Sequence, residues 1–389
     1  MKVLYYRFMK RIALFLENSR AYGREIIRGI ADLNQTRHDV MLEMIGSDDM
    51  KDVARLREYD GIIARVYSRE LCVTLKEAGI PVVDVLGQFS DTGFLLCDSR
   101  HAALGAMAAD FFISRGFQNF AFFGFEGAAF SEARYAGYAN RLATRGMTCH
   151  TFNSGTIGYA TIFAETTQRT KRQDALARWL GELPTRTALF CANDIRAYQA
   201  LRAAAEIGIH VPGKIAVLGV DNDPLICAFA RPPLSSIDPN AHGVGYAAAT
   251  MLNAAIKHGA PRSRTVFPTP KGIVERASTE FLHDGPPWLK ESVDFIRANL
   301  DKQITSSDVC RLTKLSHTSI DKNFHKFLGE SAGRYILRCK MNEAQRLISH
   351  GNITSKEISL RLGFGSPQYF CRVYKSFFGH PPFAATHGR

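Results

Sequence analysis

ITSSDVCRLTKLSHTSIDKNFHKFLG runs from Ile304 to Gly329, and about fifty residues later the chain says nearly the same again, ITSKEISLRLGFGSPQYFCRVYKSFFG, residues 353–379. In the first copy Thr305 suits a helix N-cap, with Asp308 three residues on to bond back to it. Val309 and Leu312 fall on the inward face. Cys310 is small enough to let a second helix cross closely, and "KLS" makes a tight turn. Ser316 then caps a second helix whose buried stripe is Ile320, Phe324 and Phe327. Short helix, tight turn, second helix is the helix-turn-helix plan. In the second copy Ile358 stands for Val309, Ser359 for Cys310, and Gly363 supplies the turn. Phe370, Tyr374 and Gly379 stand for Ile320, Phe324 and Gly329, so the two motifs span 305–328 and 354–378.

Between the copies, RYILRCKMNEAQRLIS (334–349) reads as one long helix with Ile336, Met341, Ala344 and Leu347 on its buried side. Two recognition helices on such a spacer fit successive major-groove turns, about 34 Å apart on one face of DNA. The charge agrees. The chain carries 49 Lys+Arg against 37 Asp+Glu, net +12, and from Trp288 onward the count is 16 against 8. Two thirds of the basic excess therefore sits in the last quarter of the chain, which points to a polyanion partner.

Upstream the pattern changes. The 389 residues allow two or three domains. From Arg11 to about Leu282, short apolar runs (RIALFL, VMLEMI, GIIARV, PVVDVL, FLLCD, NFAFFGF, TALFCA, KIAVLGV) alternate with amphipathic helical stretches. That alternation indicates βαβ units and parallel sheets. There are too many strands for one six-stranded sheet, so two Rossmann-like lobes are expected, with a crevice at the carboxyl ends of the strands. Gly-Pro-Pro at 285–287 cannot propagate a helix or a central strand. The expected division is a sensor domain at 1–280, a linker at 281–288 and an all-α domain at 289–389.

No uncharged apolar run reaches the ~18 residues of a membrane span. Lys10, Arg11 and Glu17 break the only apolar stretch near the start, so no secretory signal is expected. Eight cysteines are scattered without a C-x-x-C pair, against both a zinc site and a disulfide framework. A cytoplasmic protein without metal or cofactor is the expectation.

The C-terminal motifs LSHTSI, GES, ISLRLGF, YFCRVYK and GHPP resemble the DNA-binding domain of the AraC/XylS family over about the last hundred residues. That resemblance implies double-stranded DNA as partner. It places Thr318, Asp321 and Lys322 of the first recognition helix, and Ser366, Gln368 and Arg372 of the second, against it. Arg372 suits a guanine edge and Gln368 an adenine, whereas Lys326, Lys340 and Lys375 suit phosphates. His325 stands where the family usually has lysine, and Pro367 fits only a first helical turn. Both bear on which base pairs are read.

The α/β part resembles the periplasmic-binding-protein-like sensors of LacI/GalR repressors. The likeness runs through GIPVV, CDSRHAALGAMAADFFISRG, ARYAGYANRL, CANDIRAYQAL, GIHVPGKIAVLGVDN and PPLSSIDPNAHGVGYAAA. A LacI-like sensor followed by an AraC-like reader is the order found in XylR-type activators of xylose operons, which the chain resembles end to end. The resemblance implies a monosaccharide effector, D-xylose or another sugar, a homodimer on paired half-sites, and action beside RNA polymerase. Its ligand positions here are Arg134, Asn193, Asp194, Arg196 and Asp221. Tyr22, Arg24 and Asp98 are candidates from the other lobe, and Phe125 or Phe130 could stack on a sugar ring. A plainer reading stays open for Asp194, as a helix cap, and for Asp221, as a turn residue. An enzyme is the rival class, but G-x-S-x-G, Walker A and H-E-x-x-H are all missing.

Overall fold

The computed structural model describes residues 9–35, 39–152, 171–259, 264–280, 286–328, 330–349, 353–379 and 381–383. It separates an α/β unit ending at Thr279 from a helical unit that begins at Glu280.

The α/β unit holds two six-stranded sheets. The first has the order β11-β5-β4-β3-β1-β2 and the second β12-β10-β9-β8-β6-β7. The first comprises β1 (Lys10–Phe15), β2 (Val40–Met44), β3 (Gly61–Ala64), β4 (Val82–Asp84), β5 (Leu95–Cys97) and β11 (Thr265–Val266). The second comprises β6 (Asn119–Phe123), β7 (Cys149–Thr151), β8 (Thr187–Cys191), β9 (Ile215–Val220), β10 (Ser235–Asp238) and β12 (Gly272–Val274). Every ladder is parallel except β10 with β12. The central strands GIIA, TALFC and IAVLGV are buried at every position, which is why they read as continuous apolar runs.

The chain passes between the lobes after β5, after β10 and between β11 and β12. After β10, helix Ala241–His258 returns to the first lobe and packs against helix Ala21–Gln35. The approach is close enough that a Cβ added at Gly29 would overlap the His242 carbonyl. The strands overlooked in the sequence, β7, β10, β11 and β12, are short or polar. In β10, Ser235 and Ser236 are fully buried because their hydroxyls are bonded, Ser235 to the Arg276 carbonyl and Ser236 to Asp194.

In the helical unit the first helix starts at Pro287, inside the expected linker, because proline is at home in a first helical turn. The first pair of helices is Ser306–Thr313 and His317–Leu328, the second Ser355–Arg361 and Pro367–Phe378, joined by Ala332–Ser349. Both short helices begin in a capping box. The Thr305 amide donates to Asp308 at 2.8 Å and the Thr354 amide to Glu357 at 2.8 Å. The joining helix serves two cores. Ala332, Tyr335 and Ile336 pack with Val309, Ile320 and Phe324, while Met341 and Ala344 pack with Ile358, Phe370 and Tyr374.

Three expectations are corrected. Leu312 is 43 % exposed, and Leu328 rather than Phe327 completes the buried stripe of its helix. Lys340 does not face a phosphate. It is 5 % exposed and its Nζ donates to the Lys302 carbonyl at 2.6 Å and the Leu362 carbonyl at 2.7 Å. An added Cβ at Gly363, in the left-handed region at φ 61°, would collide with the Lys302 backbone, so lysine, glycine and loop meet at one point. The equivalent turn residue Lys314 is also in the left-handed region, at φ 59°. Gly329 lies outside the described residues.

Lys340→Met keeps the aliphatic stem but leaves buried carbonyls without a donor. It should cost about 1–3 kcal/mol, read as a lower unfolding temperature of the full chain. A phosphate contact would instead leave stability unchanged and lower the salt slope of DNA binding.

Candidate functional site

A cleft opens between the two lobes of the α/β unit, lined by Glu17, Arg20, Tyr22, Arg65, Leu86, Asp98, His101, Phe130, Arg134, Asn193, Ile195 and Asp221. Six of them, Glu17, Arg65, Leu86, Asp98, Asn193 and Asp221, lie within two residues of the carboxyl end of a strand, where an open α/β sheet receives its ligand.

Arg134 stands on helix Ala129–Ala143 and is 2 % exposed. Its Nη1 donates to the Ala192 carbonyl just beyond β8, its guanidinium lies 5.2 Å from the Phe130 ring centre, and Nη2 is 3.9 Å from Asp221. Asp221 follows β9 with φ 110°, a conformation few non-glycine residues adopt. Burial pushes its carboxyl up to about 6, against the pull of Arg134, Arg65 and Arg20. Asn193 is the N-cap of helix Asp194–Glu206. Its Oδ1 accepts from the Arg196 amide at 3.0 Å, which leaves its NH2 as the group able to serve a ligand.

From the first lobe, Tyr22 donates to Asp98 Oδ1 at 3.2 Å and lies 2.9 Å from Ser99 Oγ. Burial and the Asp98 charge raise its phenol well above the ordinary value, so it stays a neutral hydroxyl. Asp98 Oδ2 pairs with His101 Nε2 at 3.0 Å. The sequence reading did not single out Glu17, Arg20, Arg65, Leu86, His101 or Ile195. Arg65 and Glu17 could have been found by their position just after β3 and β1.

Four sequence candidates do not line the cleft. With Asn193 at the cap and Ile195 facing the ligand space, the flanking residues turn into the lobe. Asp194 is 1 % exposed and holds the lobe together, accepting from the Asp223 amide at 2.7 Å and from Ser236 Oγ at 2.6 Å. The helix-cap reading does not hold either, since Asn193 caps the helix and Asp194 is a buried carboxylate bonded to Asp223 and Ser236. Arg196 is 4 % exposed, lies 3.9 Å over the Phe125 ring and donates to Gln199 Oε1 at 2.9 Å. Phe125 is thereby covered, and Phe130 is the aromatic that reaches the cleft. Arg24 bonds the Asn18 and Ser19 carbonyls outside it.

On the helical unit, Thr318, Lys322 and Lys326 form an exposed stripe at four-residue spacing on one recognition helix. Gln368, Arg372 and Lys375 form its counterpart on the other. Ser366 caps the second helix through the Tyr369 amide at 3.1 Å, with Pro367 next in its first turn. Asp321 is a correction. Its Oδ1 accepts from the Ala332 amide at 3.0 Å, so it caps helix Ala332–Ser349 and does not extend the exposed stripe.

Comparison with known proteins covers both units. Residues 11–95 match the model of the XylR N-terminal domain, residues 109–279 that of a periplasmic binding protein-like domain, and residues 309–385 that of a helix-turn-helix domain. The Xylose operon regulatory protein of Escherichia coli K12 is 27 % identical over 384 residues, 96 % of this chain and 95 % of that protein. Its namesake in Haemophilus influenzae is 25 % identical over 382 residues, 96 % and 97 % of the two chains. A solved structure described as the xylose-binding transcription activator xylR superposes with a TM-score of 0.60 at 25 % identity, covering 96 % of this chain and 97 % of that one. The chain is a DNA-binding transcription regulator with a two-lobed, periplasmic-binding-protein-like sensor, not an enzyme. Along nearly its whole length the chain is similar to these xylose operon regulators, with the periplasmic-binding-protein-like sensor ahead of the helix-turn-helix reader.

Asp194→Ala should strand the buried Asp223 amide and Ser236 hydroxyl at a cost of about 2–4 kcal/mol. Asp221→Asn should cost less than about 1 kcal/mol. Thermal unfolding of the two variants separates the structural carboxylate from the cleft carboxylate.

Proposed function

We propose that the chain is a xylose-responsive activator of sugar catabolic genes, acting in the cytoplasm as a homodimer on paired DNA half-sites beside RNA polymerase. The observation that carries the sugar reading is the buried Arg134 set 3.9 Å from Asp221 at the mouth of two strands. A guanidinium and a carboxylate side by side match adjacent hydroxyls, one as donor and one as acceptor. Asn193 donates a further hydrogen bond, Tyr22 and Asp98 offer acceptor oxygens, and Phe130 offers the flat face that a sugar ring packs on. The particular sugar rests on the end-to-end likeness to xylose operon regulators. Another monosaccharide is the second reading.

Sugar closing the lobes shifts the population of conformations that present the reader. In that reader Arg372 and Gln368 take base edges. Thr318 and Lys322 face the other groove segment, Lys326 and Lys375 hold phosphates, and Ser366 positions the second helix from its cap. Among the described residues no helix is long and apolar enough to cross a membrane.

The test is a thermal-shift panel of the full chain against D-xylose, L-arabinose, D-ribose, D-glucose and D-galactose. A sugar at a hundred times its dissociation constant stabilises the sensor by about 2.7 kcal/mol. Xylose alone should do so, and Asp221→Asn should abolish the shift. A shift by a different sugar replaces the effector, and no shift by any sugar overturns the sensor reading.

The acceptor in the cleft is the ionised Asp221, whose carboxyl sits at about 6. Affinity should therefore hold from pH 8 to 7 and weaken below pH 6. At pH 5 it should be about tenfold lower, since roughly one carboxylate in ten is then ionised. Calorimetric titration at pH 5 and 7 checks this.

A further inference from the structure

Helix Ala129–Ala143 delivers both Phe130 and Arg134 to the cleft, yet its N-cap is Ala128, which has no side-chain oxygen and makes no capping bond. The first amide of a helix needs an acceptor. Here the acceptor comes from the opposite lobe. Gln88, in the connection between β4 and β5 of the first lobe, accepts from the Ala129 amide through Oε1 at 3.1 Å. Its Nε2 donates to the Gly127 carbonyl at 2.9 Å. Gly127 and Ala129 follow β6 of the second lobe, and Glu132 fixes that loop by accepting the Gly127 amide at 2.9 Å. Both ends of one amide side chain are thus spent across the cleft, on backbone groups that have no other reason to meet the first lobe.

We propose that Gln88 is the positioning residue that couples lobe closure to the sugar site: it caps the arginine-bearing helix only when the lobes are together. Opening the cleft returns the Ala129 amide and Gly127 carbonyl to water and frees the first turn that holds Phe130. Gln88 lines no part of the ligand space. It acts through the helix, and its loss falls on the residence time of the ligand. The sugar readout rests on the effector reading given above, whereas the exchange readout does not.

The experiment compares wild type, Gln88→Ala and Gln88→Glu as full-length chains. Hydrogen exchange of a peptide spanning 126–133 is read first, without sugar. Gln88→Ala should exchange faster there while the rest of the second lobe and the unfolding temperature stay as in wild type. D-xylose is then titrated by stopped-flow fluorescence. Gln88→Ala should weaken binding roughly tenfold, the equivalent of about 1.4 kcal/mol and within the range of a lost N-cap, with most of the change in the dissociation rate. Gln88→Glu keeps the acceptor for Ala129 and loses the donor for Gly127, so it should fall between the two. Wild-type exchange in 126–133 in both variants overturns the latch, as does a loss of affinity matched by a general fall in stability. If wild type binds no D-xylose, the effector reading fails and the exchange result alone decides the latch.

Discussion

The cleft is organised around one buried guanidinium. Arg134 is closed off from water, tied to the Ala192 carbonyl and backed by the Phe130 ring, and the nearest counter-charge is Asp221 at 3.9 Å. A cation in that position is costly unless it is paired and bonded. The costs are met by the ends of β8 and β9 and by the first turns of the helix that bears it. The arrangement fixes where hydroxyl groups can go before any ligand arrives, which is the preorganisation that a small polar effector requires. It also ties ligand recognition to backbone geometry, because Asp221 reaches its place only through a φ of 110°.

The reader is built on a comparable economy. Two helix pairs of the same design each bury their own small core, and a single 18-residue helix supplies one half of itself to each. What fixes the second copy against the end of the first helix is the Lys340 ammonium, spent on the Lys302 and Leu362 carbonyls beneath a glycine turn. A lysine in that role is rigid structure. It explains why the basic excess of the C-terminal quarter is not a simple count of DNA contacts.

The sequence made the architecture plain where periodicity was strong. Continuous apolar strands announced themselves, and the repeated capping box and aromatic stripe defined both helix pairs. The polar strand SSID was missed because buried hydroxyls satisfied by neighbours look like a loop to any reading based on apolar runs. At the site, Arg134, Asn193 and Asp221 were placed by the resemblance to sugar sensors of this fold, with Tyr22 and Asp98 as candidates from the other lobe, and all five line the cleft. Asp194 and Arg196 could not be told from them. One residue of rotation about a helix start decides whether a side chain faces the ligand or the lobe, and sequence spacing does not resolve that rotation. Asp321 and Lys340 erred in the same way: charges that look solvated in a helical pattern had been taken up by backbone groups distant in sequence. Gln88 left no sequence signal at all, since its partners belong to the other lobe.

The most direct measurement is a hydroxyl-radical footprint of the full chain on its operator, with and without D-xylose. Two reading heads on a rigid helix predict two protected patches per subunit, about 10–10.5 base pairs apart on one face of the duplex. Sugar should change their number or strength. A footprint of single, isolated patches, or one indifferent to a sugar that demonstrably binds the cleft, would contradict the account.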